Sequence, residues 1–424
     1  LANALQPGDE LILHGGTYTQ TCRRAITVVG TALNPITIRA ADGESPVLTR
    51  PGDPTQGFPQ NNIEIIDSAY VAIRGLTFQS GDIGVRFING HHITFENNEV
   101  FNTSNNAVTL NSGNTNDFNI RLNHIHHTGL LDISLGTTEG EGMYVGCNGA
   151  TCVASGHLIE NNYIHDLRGT SGGGNDGIEV KVGSHGNTIK DNVIHNTTIG
   201  TRYPCIFVYG GGPAQNVVQG NALWNCGEAI QVVSDALVTD NLILNSDVGI
   251  TAAPHAQVAS MKDVTIAHNT IYGHGECLYV RWAGTSNMQL ANNAVYCPGT
   301  SAVDASGLAG AEVKNNFVEG GLAGVSIDNQ GFFNGGSASS AFASPAALDF
   351  WPQPGSPLIE AGDPGHGTPV DFNATVRDGP YDVGAYETDG LDANPGWQVG
   401  PGFKGFPPLV YPPVSYLPII VAGD

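Results

Sequence analysis

The chain has 424 residues, 40% of them hydrophobic, enough for a continuous core, while no apolar run reaches the roughly 18 residues a membrane span needs. Its 16 Lys and Arg against 39 Asp and Glu give a formal charge of −23, which argues against nucleic acid and against an anionic membrane surface as partners. The 57 Gly, the many Asn and the absence of any long stretch with helical periodicity place it in the all-β class.

The first predicted strands are Asp9-Glu10-Leu11-Ile12-Leu13, Pro35-Ile36-Thr37-Ile38 and Val71-Ala72-Ile73-Arg74-Gly75-Leu76. The chain opens inside this pattern, so no signal peptide is expected within it. From residue 84 one phrase recurs: a small residue, an apolar one, any residue, and another apolar one. It reads Gly84-Val85-Arg86-Phe87, Ala107-Val108-Thr109-Leu110, Gly142-Met143-Tyr144-Val145, Gly177-Ile178-Glu179-Val180 and Cys205-Ile206-Phe207-Val208. It continues as Ala229-Ile230-Gln231-Val232, Gly249-Ile250-Thr251-Ala252, Cys277-Leu278-Tyr279-Val280, Ala302-Val303-Asp304-Ala305 and Gly324-Val325-Ser326-Ile327. Between copies runs a second phrase, apolar-x-x-Asn-x-apolar, whose Asn98, Asn123, Asn162, Asn192, Asn221, Asn241, Asn269, Asn293 and Asn316 are expected to stack coil upon coil.

Period-2 alternation repeated at this spacing predicts a single-stranded parallel β-helix, a solenoid of about ten or more coils of three short strands. No coil buries its inner face alone; stacking buries it. The predicted domain spans 1–390, with a segment from about 335 packing along the solenoid and a Pro/Gly-rich tail over 391–424 that reads as a linker or anchor remnant. Cys205 with Cys226 and Cys277 with Cys297 each join the small column to a position just before the next strand. These pairs and Cys147–Cys152 are predicted bridges, Cys22 is left unpaired, and an oxidising, extracellular setting is expected.

Pro7-Gly8-Asp9-Glu10-Leu11-Ile12-Leu13, Gly15-Gly16-Thr17-Tyr18 and Asn34-Pro35-Ile36-Thr37-Ile38-Arg39-Ala40 resemble the opening of secreted right-handed parallel β-helix proteins of the pectate-lyase-like superfamily. Ser356-Pro357-Leu358-Ile359-Glu360-Ala361-Gly362 and Asp382-Val383-Gly384-Ala385-Tyr386-Glu387 are similar to the closing segment of many bacterial members. The superfamily includes alginate and chondroitin lyases and mannuronan epimerases, so the resemblance implies an enzyme acting on an acidic polysaccharide. Its calcium-assisted lyases carry paired acids, a Lys, and an Arg one coil on. Asp176, Glu179 and Lys181 supply the acids and the Lys; Tyr209 stands where the Arg is expected.

If Ile178 and Val180 point inward, Gly177, Glu179 and Lys181 point outward. Stacking then predicts an outward trough of small residues (Gly84, Ala107, Gly142, Gly177, Cys205, Ala229, Gly249, Cys277) beside two columns. One column reads Arg86, Thr109, Tyr144, Glu179, Phe207, Gln231, Thr251 and Tyr279; the other includes Gly146, Lys181, Tyr209 and Arg281. Glu141, Asp176, Glu228 and Glu276 form an acidic row at the strand edge, and Glu141, Asp176 and Glu179 are candidate Ca²⁺ ligands. The longest intervals, Val108 to Met143 and Met143 to Ile178, must leave the solenoid as loops around Glu179 and Lys181. The second of these carries Arg168, and the loop after His195 carries Arg202 and Tyr203; either Arg is a candidate to meet an anionic sugar.

His126, His165 and His195 are expected to stack beside the acidic edge, where one can serve as a base; the alternative is a turn-lining stack bonded to backbone. The leading expectation is β-elimination on a polyuronate. Ca²⁺ or Arg202 neutralises the carboxylate, Lys181 removes the C5 proton, and Tyr144 or Tyr209 protonates the leaving oxygen. Arg86, Arg168, Tyr203, Phe207, Tyr279 and Arg281 are the candidate substrate contacts, and a monomer is expected. A glycoside hydrolase using the same carboxylates and a non-catalytic carbohydrate-binding protein are the alternatives.

Overall fold

A computed structural model describes residues 2–135, 139–168, 174–197, 202–273, 275–400, 402 and 404. The rest of the predicted tail, from 405 onward, lies outside the described residues. The chain winds as a parallel β-helix in which each full coil contributes one strand to each of three faces. Face one holds Val108–Leu110, Met143–Val145, Ile178–Val180, Pro204–Val208, Glu228–Val232, Val248–Ala252 and Glu276–Arg281, paired in parallel in that order. Face two includes Leu158–Glu160, Thr188–Lys190 and Asn216–Gln219; face three includes Glu99–Phe101, His124–His126, Tyr163–His165, Val193–His195 and Ala222–Trp224.

The apolar positions of the repeat fill the interior: Met143, Ile178, Ile206, Val145, Val180 and Val208 are all fully buried in one continuous cluster. The corner between faces two and three carries the asparagine ladder. Each Oδ1 accepts from the preceding Asn, as when the Nδ2 of Asn162 donates to Asn192 at 3.0 Å and that of Asn192 to Asn221 at 3.1 Å, and the run is unbroken from Asn98 to Asn316. The same amides reach back to the carbonyl at the end of face two, Asn192 to Ile159 at 2.9 Å. The residue before a ladder Asn takes a left-handed turn, Asn161 at φ 54° and Gly220 at φ 64° among them, which is why Asn, Asp and Gly collect there. At the corner between faces one and two a shorter ladder, unforeseen in the sequence, runs from His157 through Asn187 to Asn216.

The small-residue column is not an outward trough. Ala107, Cys205, Ala229 and Cys277 belong to the buried core, and a Cβ added at Gly177 would meet the Ile194 side chain at 2.7 Å and the Cys205 carbonyl at 2.3 Å. These residues sit at the corner where the chain turns into face one. Strict alternation has not yet begun, and branched side chains from face three fill the space. The column is small because the core is tight there.

The three bridges are Cys147–Cys152, Cys205–Cys226 and Cys277–Cys297, with Cys22 free and exposed. Beyond residue 337 the chain lays Phe342, Phe350, Trp351, Leu358, Phe372, Val383 and Tyr386 over the outer side of face three, against Val193, Ala222, Leu242, Leu244, Ala294 and Tyr296. Arg377 anchors this cover, fully buried between Asp240 at 3.2 Å and Glu387 at 2.7 Å. No helix among the described residues is long and apolar enough to cross a membrane.

Candidate active site

Register places Arg86, Thr109, Tyr144, Glu179, Phe207, Gln231, Thr251 and Tyr279 one above another along face one. Because their neighbours Ile178 and Val180 fill the core, Glu179 and Lys181 stand on the opposite, outer side of the sheet. They are nevertheless enclosed, at 4% and 6% exposure. Walls on both edges of the sheet explain this. Ahead of the strand lie the segments carrying Glu139, Glu141, Asn175, Asp176 and Tyr203. Beyond it, the Cys147–Cys152 loop sets Ala150 against Gly183, and His255 packs edge-on to Tyr209 at 4.9 Å.

The carboxylates of Glu141, Asp176 and Glu179 place one oxygen each within 4.8 Å of one another, and all three residues are buried. Among the described residues Asp176 Oδ1 and Glu179 Oε2 have no hydrogen-bond partner. Glu141 is steadied by Asn106, whose amide nitrogen, in the orientation that suits its surroundings, lies 2.9 Å from Oε2. The other Glu179 oxygen accepts from Lys181 Nζ, and that ammonium lies over the rings of Tyr144 at 4.6 Å and Tyr209 at 5.2 Å.

Burial, then the charge of Glu179, pushes the Glu141 carboxyl up to about 8. Burial followed by Glu179 and Glu141 raises Asp176; burial raises Glu179 against the pull of Lys181. Three carboxylates in so dry a space cannot all be ionised without a cation or a shared proton. Burial, then Glu179, also raises the Tyr144 and Tyr209 phenols, so both keep their protons. Burial, followed by Asp176 and Glu141, does the same to the half-buried Tyr203 at the entrance.

Other predicted residues fall elsewhere. The acidic row is interrupted: Pro204 stands between Asp176 and Glu228, and Val248 between Glu228 and Glu276. The exposed Arg202 accordingly lies 3.7 Å from Glu228 and 4.0 Å from Glu276, and no ion pair joins it to the three clustered acids. His165 and His195 belong to face three, where His126, His165, His195 and Trp224 stack with ring centroids 5.2, 5.1 and 4.4 Å apart.

Their polar partners are His124, Asp166, Tyr163 and Asn196, not the acidic cluster, and burial drives the His165 ring down to about 4 and lowers His195 too. His165 and His195 are therefore weakly basic and stand on another face. Arg168, exposed, lies beside His127, whose protonation it opposes after burial and His126 do so.

Phe207 packs with Tyr209 at 4.0 Å next to Glu179. Arg86 and Tyr279 mark the ends of the column, three coils below and four coils above Glu179, and Arg281 lies over the Tyr279 ring at 3.9 Å while paired with Asp304 at 2.7 Å. Sequence reasoning missed Asn106, Glu139 and His255. Asn106 and Glu139 abut or influence Glu141, and the Lys181 charge acts on His255. All three fall outside the recurring phrase, which is the signal that located the others.

The residues present suit a hard divalent cation. Glu141, Asp176 and Glu179 offer converging oxygens, two of them unpartnered among the described residues. The ion would carry the surplus negative charge.

A sequence family described as a right handed beta helix region matches residues 61–248. No curated protein matches the sequence. Among solved structures, pectate lyase Pel9A is 16% identical over 91% of this chain and 89% of its own, with a TM-score of 0.54. XylC in complex with xylose is 10% identical over 91% and 94%, with a TM-score of 0.53. An alginate lyase from Paenibacillus sp. str. FPU-7 is 21% identical over 76% and 94%, with a TM-score of 0.47. At these identities the likeness is one of architecture: the chain has the right-handed parallel β-helix fold that polysaccharide lyases also use.

Proposed function

We propose that the chain is an extracellular polysaccharide lyase that cleaves a uronate-containing polymer by β-elimination in the cleft around Glu179 and Lys181. One observation carries this reading: three buried carboxylates, two of them with an oxygen unpartnered among the described residues, adjoin a Lys clasped between two tyrosines, on a rigid strand walled by loops. β-Elimination needs the uronate carboxylate neutralised, a base at the C5 proton and an acid at the leaving oxygen. Ca²⁺ at Glu141, Asp176 and Glu179 would supply the neutralisation. Lys181 Nζ, released from Glu179 and having lost its own proton to solvent, takes the C5 proton as a neutral amine. The C4=C5 double bond forms as the C4–O bond breaks, and the phenol of Tyr144 or Tyr209, held protonated by its surroundings, gives a proton to the departing oxygen.

Tyr203 and Phe207 offer ring surfaces to the sugar at the entrance, with Arg202 and Arg168 as outlying cations, and Arg86, Tyr279 and Arg281 extend the track along face one. The three disulfides suit an oxidising compartment, which supports secretion. Incubation with alginate, pectate, glycosaminoglycans and neutral glucans, with and without chelator, tests the assignment: turnover confined to uronate polymers and abolished by chelator is expected, and turnover of neutral glucans alone contradicts it.

A proton held on Glu141 beside Glu179 favours one other reading, acid and base in a glycoside hydrolase. Its products carry new reducing ends without unsaturation.

The raised carboxyls set the direction of a pH effect. Their protonated forms suit the fold, a contribution present in full below the ordinary value of 4.5 and lost as pH climbs through about 8 at Glu141. In chelator the melting temperature is expected to fall from pH 5 to 8.5, and Ca²⁺ to restore it progressively more at the alkaline end. A Ca²⁺ effect equal at both pH values removes the cation from this cluster.

A further inference from the structure

Among the described residues, the one further group of three ligating side chains lies on the outer side of face three. Glu99 is in register with His124 on the next coil, and His124 and His126 occupy alternate positions of one strand, so both rings project to the same side. Glu99 Oε1 lies 3.5 Å from His124 Nδ1 and 3.3 Å from His126 Nε2. A tetrahedral shell with bonds of about 2.0–2.1 Å has its ligand atoms about 3.3–3.4 Å apart. The same separations exceed the roughly 2.7–2.9 Å of a strong charge-assisted pair. Oxygen and nitrogens are spaced for an ion between them better than for direct contact.

The far side of each ring is committed as well. His124 Nε2 lies 2.8 Å from His165 Nε2, and His165 Nδ1 lies 2.8 Å from Asp166 Oδ2; His126 Nδ1 lies 2.7 Å from His127 Nδ1. One assignment of protons satisfies all of these: His165 donates to Asp166 and accepts from His124, while His127 accepts from His126. The inner nitrogens of His124 and His126 are then bare lone pairs aimed toward Glu99. Outer hydrogen bonds that fix the tautomer and direction of an imidazole are how metal-binding histidines are held. Glu99 and His124 side chains remain 38% and 36% exposed, so an ion can enter from solvent and keep one position open.

We propose that Glu99, His124 and His126 form a binding site for a divalent transition metal of the zinc class, with His165, Asp166 and His127 as its outer support. Imidazole nitrogens select such a metal, whereas the oxygen-only cluster around Glu179 suits a hard cation, so the two sites are chemically separate. Bound there, the ion links two consecutive coils of face three.

The test is a titration of the full chain, stripped with chelator, with Co²⁺ as the probe and Zn²⁺ as competitor. One Co²⁺ is expected to bind with the intense visible absorption of a low-coordinate site and to be displaced by Zn²⁺. Glu99→Gln, a near-isosteric change at a half-exposed position, should weaken binding at least about tenfold, as should His124→Ala. Asp166→Asn, one shell out, should weaken it by about tenfold or more if outer bonds hold the rings. Glu179→Gln should leave the intense visible band unchanged, because Co²⁺ among the oxygens of the cleft gives only a pale spectrum, which keeps this result independent of the cleft. Native-like Co²⁺ binding by Glu99→Gln, or only the pale spectrum of an octahedral aqueous ion in the unaltered protein, overturns the proposal.

Discussion

Replacing Lys181 with methionine is expected to lower turnover of the preferred polyuronate by about a thousandfold, in the range by which general bases contribute. The effect follows from position. The ammonium lies over Tyr144 and Tyr209 and is bonded to Glu179, so no other amine among the described residues can take its place. Methionine preserves the stem that packs between the rings but leaves Glu179 buried without its cation. A buried carboxylate stripped of its partner costs about 3–5 kcal/mol if it stays ionised, so Lys181→Met should also melt earlier above neutral pH and less so in acid. Measuring kcat at pH 5.5, where the fold is least affected, separates chemistry from stability. Full activity there would remove Lys181 from the mechanism.

Substituting Asn192 with leucine should be the most damaging single change to the scaffold. Its Oδ1 accepts from both the backbone N–H and the side-chain amide of Asn162 at 3.0 Å, and its amide reaches Ile159 and Asn221. Leucine fills the volume but orphans several of these groups in a fully buried corner, each at about 1–3 kcal/mol. A loss of about 4 kcal/mol is expected, read as a lower urea midpoint. The break also falls between the coils that carry Glu179 and Phe207, so activity should disappear well before global unfolding. An unchanged midpoint would mean that water repairs the ladder.

Where the repeat governs the chain, the sequence is a sufficient guide. A strict period of two dictates which side of face one Tyr144, Glu179 and Phe207 occupy, and the nine ladder asparagines follow because only a stacked amide satisfies both its neighbour and the turn beneath it. The Cys205–Cys226 and Cys277–Cys297 bridges follow from the same stacking, and Cys147–Cys152 closes a loop.

Where the chain leaves the repeat, the guide fails for identifiable reasons. Gly177 and Cys205 turn inward because alternation does not extend round a corner. Arg202 pairs with Glu228 and Glu276 because Pro204 occupies the coil position between Asp176 and Glu228. His165 and His195 follow the Asn phrase and so share a face with Trp224, a placement that depends on how the corner bends and not on their spacing. His255 and Glu139 reach the cleft from loops that no periodicity describes.

The central claim is that bond breakage in this cleft proceeds by elimination. The most direct measurement is a single time course on a uronate polymer with the Ca²⁺-supplemented protein, following ultraviolet absorbance and new reducing ends together. Elimination predicts that the two rise in equal molar amounts from the first minutes and that both vanish with Lys181→Met. Reducing ends appearing without ultraviolet absorbance would show that water, not a carbanion, breaks the bond, and would contradict the account.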